Sequence, residues 1–494
     1  MVQRMWSGQK VLPLPLLQAV TVYWLGLKVA ALFVGFPHAD EAYYWLWGQH
    51  PALSYFDHAP LQAWLLGLSG ALFGWNLFAL RFLSILTAGG TLLILYLWSR
   101  RLAGESWRQA FWLSAALFYS SPLLQLYTTV ALHDRLLVML ALAALHCFAW
   151  CFADWAEGRR RYAMLYLGAI CVGLATLTKY NGVLLGIGVA LAILVRRDLR
   201  GLLATPHLYL AALGSVALQA PVLYWNATRD FASAQFHLEH GFEGIEAGVG
   251  HIVRMAIETV LLLSPFVVVP MLRFLAGRAG GGFGGMLLST AKWVFIASSL
   301  GIVALAFFRD ALFYWNIIAY AAFFGVAAWS FRTRLEQALQ LGWGLVVTTA
   351  LMVQFSIMPF IQSIGLPQPN TDGLFGWEEI AAEVRAAEAE TGADFAAAAD
   401  WQQASRLAFA LQDKDVGALS AELDGFDFWF DEEGHRGADA VILMQAHDPR
   451  LAYVRSRFER LDKLREFSIE RFGRTLFSYE LYAGRGYIPE PGPR

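Results

Sequence analysis

Apolar segments alternate with short polar loops through the first 360 residues of the chain. A membrane-spanning helix needs about 20 mostly apolar residues. Runs that meet or approach this length predict about eleven spans, at residues 11–35, 79–99, 109–129, 132–152, 162–178, 182–195, 207–225, 252–272, 288–308, 311–330 and 341–361. The pattern therefore predicts a polytopic α-helical membrane protein.

The apolar run Leu61–Phe73 is too short for an ordinary span, and a proline precedes it. A proline suits the start of a helix, so we expect a helix that lies along the membrane surface. Counting this run as a span would invert every later loop. The basic residues would then no longer collect on one side, which favours the interfacial assignment.

Basic residues fix the expected orientation, because cytoplasmic loops of membrane proteins carry an excess of Lys and Arg. Alternate loops hold most of them: Arg4, Lys10, Arg100, Arg101, Arg108, Arg159, Arg160, Arg161, Arg196, Arg197, Arg200, Arg273, Arg278, Arg332 and Arg334. The opposite loops hold mainly Arg135, Lys179, Arg229 and Arg309. We therefore expect the opposite loops, and the tail after residue 362, on the non-cytoplasmic side.

Composition divides the chain near residue 366. The whole chain is 57% hydrophobic and 15% charged, with a net charge of −2, but most acidic residues follow residue 370. Helical spacing at Trp377–Glu390 and Ala399–Leu411, with strand patterns at Ala440–Met444 and Thr475–Tyr482, predicts a small α/β domain. We expect a membrane domain over residues 1–366 and a soluble domain over 367–494.

Acidic residues stand among aromatic ones in the first polar loop, where Trp and Tyr favour a membrane interface. Asp40 and Glu41 follow the first span, and Asp134 follows the third. Carboxylates brought together can raise one pKa enough to make a general base, or can share a cation. These residues are candidate catalytic groups, and ordinary loop charge is the alternative.

Other polar residues of the same side suit an anion or a metal. Lys179 ends a long apolar run, where its cation needs water or an anion, although snorkelling to the interface also explains it. His58 is either a ligand for phosphate or metal or an ordinary loop histidine. The candidate metal ligands are Asp57, His58, His237 and His240, but the HLEH segment lacks the spacing of a zinc protease.

Several motifs resemble those of family 39 GT-C glycosyltransferases, the bacterial relatives of protein O-mannosyltransferases and of the lipid A aminoarabinose transferase. The motifs are DEAYYW, YFDHAPL, ALHDRLLVML, TKYNG and the pair Trp225–Asn226. The resemblance implies a GT-C fold, a polyprenyl-phosphate-linked sugar as donor, and inversion at the sugar carbon. It matches Asp40 to the aspartate proposed to take the acceptor proton or to align the acceptor, with Glu41 beside it. It matches Asp134 to the acid of the second loop.

The resemblance, together with the positive charge that a departing phosphate needs, predicts a set of contacts to the donor phosphate and the substrate. His58 stands where many bacterial members have lysine, so Lys179 is a further candidate for the positive charge. The expected contacts are Tyr55, Asp57, His58, Lys179, Tyr180, Asn181 and Arg309. No cofactor is assigned beyond a candidate divalent metal.

We therefore predict an inverting glycosyltransferase of the bacterial inner membrane with a periplasmic active site. Its expected acceptor is a hydroxyl of an envelope glycolipid such as lipid A, and its expected partners are membrane lipids rather than nucleic acid. A lipid-linked-sugar transporter or flippase and a protein O-glycosyltransferase are the alternatives. Polar residues gather at one side of the spans rather than deep within them, which favours an enzyme over a transporter.

Overall fold

The computed structural model of the chain is helical, with a β-sheet near the C-terminus. It describes residues 10–233, 235–236, 248–308, 310–363 and 373–490. The chain forms two compact units: Met1–Ala30, His58–Gln62 and Arg81–Ala350 in the first, and Ala31–Asp57, Ala63–Leu80 and Leu351–Arg494 in the second. The predicted domain boundary at residue 366 lies outside the described residues and stays a prediction.

The α-helices are numbered here in chain order. They are α1 (Leu14–Ala30), α2 (Ala39–Gln49), α3 (Leu61–Phe73), α4 (Leu77–Leu102), α5 (Trp107–Tyr119), α6 (Pro122–Tyr127), α7 (Asp134–Ala156), α8 (Ala163–Thr178), α9 (Val183–Val195), α10 (Pro206–Ala217), α11 (Ala220–Ala227), α12 (Val249–Leu263), α13 (Val268–Ala276), α14 (Gly282–Phe308), α15 (Ile317–Val326), α16 (Arg334–Ser356), α17 (Phe360–Ser363), α18 (Trp377–Thr391), α19 (Trp401–Leu411) and α20 (Leu451–Ser456).

Among the described residues, four helices are long and apolar enough to cross a membrane, namely α4, α7, α14 and α16. Two bent pairs also qualify if each counts as one span: α10 with α11, bent by 47°, and α12 with Pro265–Ala276, bent by 91°. Shorter apolar helices, including α1, α8 and α9, occupy other predicted runs. The chain is a multi-pass membrane protein, and the predicted count of about eleven spans stays a prediction.

Two of the predicted runs are interrupted where serine and proline occur together. Run 109–129 forms two helices, because Ser121 caps α6 and a proline follows it. Run 252–272 breaks at Ser264, whose φ of +113° cannot continue a helix, and Pro265 follows. Proline lacks the N–H that the preceding turn of a helix needs. Each of these two predicted runs is therefore broken into two helical segments.

Buried polar side chains connect the helices of the first unit near the start of α7. The Nζ atom of Lys28 in α1 donates to the hydroxyls of Thr128 at 2.7 Å and Thr129 at 2.9 Å. The amide of Gln125 donates to the Trp24 carbonyl at 2.9 Å. Hydrogen bonds between helices are a common means of association in membrane proteins. These bonds attach α1 to the turn that leads into α7.

In the second unit, α2 packs against α19 through aromatic side chains. The ring of Tyr43 lies 4.9 Å from that of Trp401, and Trp45 meets Phe409 edge-on at 5.4 Å. Such pairs contribute about 1 kcal/mol each beyond the area they bury. The helix predicted at the membrane surface is present over the predicted residues, Leu61–Phe73.

The sheet of the second unit has five strands in the order β2-β1-β3-β5-β4. The strands are β1 (Phe395–Ala398), β2 (Gly417–Ala418), β3 (Ala440–Gln445), β4 (Phe458–Arg471) and β5 (Arg474–Tyr487). β1 is parallel to β2 and β3, and β5 is antiparallel to β3 and β4. The apolar strand β1 is fully buried, as parallel strands usually are.

The helices and strands predicted after residue 370 are confirmed. The structure has α18 and α19 at the two predicted helices and β3 and β5 at the two predicted strands. A two-residue turn at Phe472 and Gly473 joins β4 to β5, with φ of +57° and +69°. Positive φ at both positions is the geometry that matches the twist of a hairpin.

Candidate active site

Asp134 and Lys179 form a buried ion pair in the first unit. The Nζ atom of Lys179 lies 2.9 Å from Oδ1 and 3.2 Å from Oδ2 of Asp134. The side chain of Lys179 is only 13% exposed, and that of Asp134 only 3%. Asp134 begins α7 and Lys179 follows the end of α8, so each charge also complements the dipole of its own helix. The ring of Tyr314 lies 5.0 Å from the ammonium group.

The turn after Lys179 is held to another segment by Asn181. Its side-chain amide donates to the Trp315 carbonyl at 2.8 Å. Tyr180 lies in the same one-turn 3₁₀ helix, Tyr180–Gly182. A Cβ atom at Gly182 would lie 2.5 Å from the backbone of Ala175, so only glycine fits there. The TKYNG motif therefore builds a rigid turn that positions Lys179.

Further basic side chains surround this ion pair. The ring of His58 lies 4.6 Å from that of His133, which immediately precedes Asp134. His58, Lys179 and Arg135 all act electrostatically on His133. Arg135 is buried, with 1% of its surface exposed. Among the described residues of this cluster, the cations Lys179 and Arg135 outnumber the carboxylate of Asp134, an arrangement that suits a phosphate or a similar anion.

Asp40 and Glu41 occupy different environments at the start of α2 in the second unit. Glu41 is 1% exposed, and its carboxylate accepts a hydrogen bond from the backbone N–H of His38 at 3.1 Å. It completes a capping box with His38, which stabilises the start of the helix. The side chain of Asp40 is 34% exposed, and its Oδ2 lies 3.4 Å from His38 Nδ1. Of the two acids, Asp40 has the more accessible carboxylate.

Asp57 lies near Asp40 and is connected to the C-terminal part of the second unit through Tyr43. The hydroxyl of Tyr43 accepts a hydrogen bond from the Gly425 N–H at 2.9 Å and is hydrogen-bonded to Asp57. Burial raises the pKa of Asp57 to about 7, the Tyr43 hydrogen bond opposes this shift, and the charge of Asp40 adds to it. A carboxyl with this pKa can exchange a proton near neutral pH.

Tyr55 is engaged within its own loop. Its hydroxyl donates to the carbonyls of Trp47 at 2.8 Å and His50 at 3.0 Å, and its ring stacks on Trp47 at 4.6 Å. These contacts hold the loop that carries Asp57. The predicted substrate contact of Tyr55 stays a prediction.

Sequence reasoning missed the acids and the arginine that the C-terminal segment places beside α2. Burial raises the pKa of Asp424 well above its ordinary value and that of Asp427 to about 6. Arg406 in α19 is within electrostatic range of Asp40. The segment GFDFWF places Asp427 among aromatic residues, as DEAYYW does for Asp40, and this is the signal that could have found it.

Three predicted site residues, Arg309, His237 and His240, lie outside the described residues. Within the described part of the chain, no three His, Cys, Asp or Glu side chains come together in a group that could hold a metal ion. The candidate metal ligands Asp57 and His58 thus have no such group around them in that part of the chain. Their role in metal binding stays a prediction.

Comparison with known proteins gives matches to sugar transferases. Residues 57–225 match the family described as dolichyl-phosphate-mannose-protein mannosyltransferase. The chain is 24% identical over 396 residues to the lipid A galacturonosyltransferase RgtD of Rhizobium johnstonii, which covers 76% of this chain and 77% of the relative.

Two solved structures of ArnT from Cupriavidus metallidurans, one bound to undecaprenyl phosphate and one without ligand, are similar in fold. Each has a TM-score of 0.65 and 14% identity, and the match covers 94% of this chain and 97% of ArnT. Helices and sheet together therefore follow the ArnT fold.

Proposed function

We propose that this chain, a GT-C glycosyltransferase related to the protein O-mannosyltransferases and to ArnT, moves a sugar from a polyprenyl-phosphate donor to lipid A or a similar envelope glycolipid. The observation that carries the proposal is the cationic cluster around the buried Asp134–Lys179 pair. A lipid-linked phosphate needs such a cluster when it becomes a leaving group. The names of RgtD and of the ArnT complex support lipid A as acceptor and a polyprenyl phosphate as carrier.

On the donor side, bond cleavage at the sugar carbon leaves negative charge on the departing phosphate. Preorganised positive groups stabilise such charge most where water is excluded. We assign this role to Lys179 and His58, with Tyr180 and Asn181 shaping the turn and Arg309 as a further contact. Asp134 holds Lys179 in place and keeps its charge compensated before the donor binds.

On the acceptor side, a hydroxyl must lose its proton as it attacks the sugar carbon. We assign proton acceptance to the Asp40 and Asp57 pair, because Asp40 is accessible and the pKa of Asp57 is about 7. Attack from the face opposite the phosphate inverts the configuration at that carbon. Glu41 supports the start of α2 rather than the reaction itself.

We place the protein in the bacterial inner membrane, with Asp40 and Lys179 on the periplasmic side. The basic residues of the alternate loops support this orientation through the positive-inside rule. Cysteines introduced singly beside Asp40 and beside Lys179 are expected to react with a membrane-impermeant maleimide from the periplasm. Protection of either cysteine in intact spheroplasts, with labelling after lysis, would reverse the assignment.

The proposed reaction is tested with purified protein in detergent or liposomes, supplied with undecaprenyl-phosphate sugars and lipid A. Mass spectrometry of the acceptor should show one added sugar, and thin-layer chromatography should show released undecaprenyl phosphate. Asp40→Asn and Lys179→Met should lose product. Asp462→Asn, at a 48% exposed position on β4, is the matched control and should keep it.

Other outcomes distinguish the alternatives. Sugar that crosses the bilayer without product would indicate a transporter. Transfer to peptide hydroxyls but not to lipid A would indicate protein O-glycosylation, which the name of the matching family favours as the second candidate.

A further inference from the structure

Arg406 carries a buried donor atom that makes no hydrogen bond in the described part of the chain. Its Nε atom is buried and makes no hydrogen bond there, and its ring contact is Trp377, with the guanidinium carbon 5.9 Å from the ring centre. Gly373 lies so close that a Cβ atom there would be 2.9 Å from an Nη atom of Arg406. A buried cation without a partner is costly. An unsatisfied buried donor calls for an explanation, and binding of an ion or a ligand is one.

The packing of α19 on α2 brings this guanidinium to the same end of α2 as Asp40. The ring centres of Tyr43 and Trp401 are 4.9 Å apart, and those of Phe36 and Phe409 are 5.5 Å apart. Asp40 lies between Phe36 and Tyr43 in the sequence. Arg406 lies between Trp401 and Phe409. Burial lowers the pKa of Arg406, and the charges of Tyr479, Asp400 and Asp40 oppose that shift.

Asp400 acts on Arg406 electrostatically, but its oxygens contact other groups. Its Oδ1 accepts a hydrogen bond from the Gln403 N–H at 2.8 Å, and its Oδ2 lies 2.8 Å from Arg450. It therefore caps α19 and pairs with another arginine. The Nε donor of Arg406 is therefore available for a further oxyanion.

We infer that Arg406 binds an anionic group of a substrate, a carboxylate or a phosphate, beside Asp40. This inference rests on the proposed function, which places the reacting sugar and acceptor at Asp40. A guanidinium presents parallel N–H groups that match the oxygens of either anion. The anion has two sources: the carboxylate of a uronic acid on the donor, or a phosphate of the acceptor lipid.

The test measures kcat/KM for matched substrates with wild type, Arg406→Gln, Arg406→Lys and a control. One pair of undecaprenyl-phosphate donors carries a hexuronic acid or the corresponding neutral hexose, and one pair of lipid A acceptors carries or lacks phosphate. Arg385→Gln is the control, because exposed Arg385 donates only weakly, at 3.4 Å, to the carbonyls of Ala410 and Leu411.

Arg406→Gln should lower kcat/KM about 10- to 100-fold for the substrate that bears the anion, the usual effect of losing a charged hydrogen bond. Its effect on the neutral counterpart should stay within about 3-fold, because that substrate lacks the anion that the guanidinium binds. Arg406→Lys should fall between, because lysine keeps the charge but not the paired donors. Arg385→Gln should match wild type.

The two substrate pairs show which molecule carries the anion, and they distinguish failure of this inference from failure of the proposed function. A loss that follows the uronic acid assigns the anion to the sugar, and a loss that follows the acceptor phosphate assigns it to the lipid. Equal changes for every substrate, or no change, would overturn the inference while an active wild type still upholds the proposed function. If Arg406→Gln does not fold, Arg406→Lys decides, and an unchanged ratio between charged and neutral substrates overturns the inference. A wild type inactive with all pairs counts against the proposed function instead.

Discussion

Replacing Asp57 by asparagine should change how the stability of the protein depends on pH. Burial raises the pKa of Asp57 from 3.8 to about 7, so the folded protein holds this proton more tightly than the unfolded chain. The resulting stabilisation is complete below the unfolded pKa and is lost as the pH rises through about 7. Between pH 5 and pH 8 the wild type should lose about 2–3 kcal/mol from this group. Asparagine cannot ionise, so Asp57→Asn should lack this loss.

The measurement is thermal unfolding of both proteins in detergent from pH 5 to pH 8. The midpoint of the variant, relative to wild type, should rise from pH 5 to about pH 7 and then level off. Asp439→Asn is the control of opposite sign, because a hydrogen bond from Arg485 lowers the pKa of Asp439. Its contribution is lost only at acidic pH, below this range, so its difference from wild type should stay constant.

Parallel curves for wild type and Asp57→Asn would refute the reasoning. They would mean that Asp57 is already ionised at pH 5, and that its burial does not raise its pKa. Asp57 would then no longer qualify as a proton acceptor that works near neutral pH.

Three other changes have defined outcomes. Lys179→Met leaves buried Asp134 unpaired and should lower the free energy of unfolding by about 3 kcal/mol. Adding Asp134→Asn should recover part of this loss. Additive losses in a double-mutant cycle measured by thermal unfolding would contradict the pairing. Tyr43→Phe removes a hydrogen bond that lowers the pKa of Asp57. The pH at which the wild type loses stability should therefore move upward, and an unchanged pH dependence would exclude that bond. Gly188→Ala places a Cβ 2.4 Å from the α14 backbone. It should cost about 1–3 kcal/mol, whereas Gly214→Ala, with open space, should be neutral or stabilising by thermal unfolding.

Local pattern was sufficient to predict many elements of this chain. The run Leu61–Phe73, preceded by proline, forms the predicted helix, and the elements after residue 370 begin within about two residues of their predicted starts, the usual uncertainty of element boundaries. Such boundaries depend on periodicity, caps and prolines, which act over a few residues. The breaks at Ser121 and Ser264 also follow from a local signal, a serine followed by a proline.

The candidate site was only partly predictable. The motifs identified Asp40, Asp134 and Lys179 as residue types suited to the chemistry. They did not show that Glu41 closes a capping box, or that Lys179 pairs with Asp134 across 45 positions. A capping role depends on the backbone geometry at one helix end, and an ion pair depends on how two helices pack.

By itself, therefore, the sequence determined the membrane character, most helices and strands, and the polar residues worth testing, because these follow from short-range patterns. Only the tertiary structure decided which polar groups meet. The bond between Tyr43 and Gly425 joins positions 382 residues apart, and the buried setting of Asp57 and Arg406 arises from the packing around α2. Burial and long-range contacts set the pKa of Asp57 and leave the Nε donor of Arg406 without a partner in the described part of the chain. No local sequence pattern encodes burial or long-range contacts.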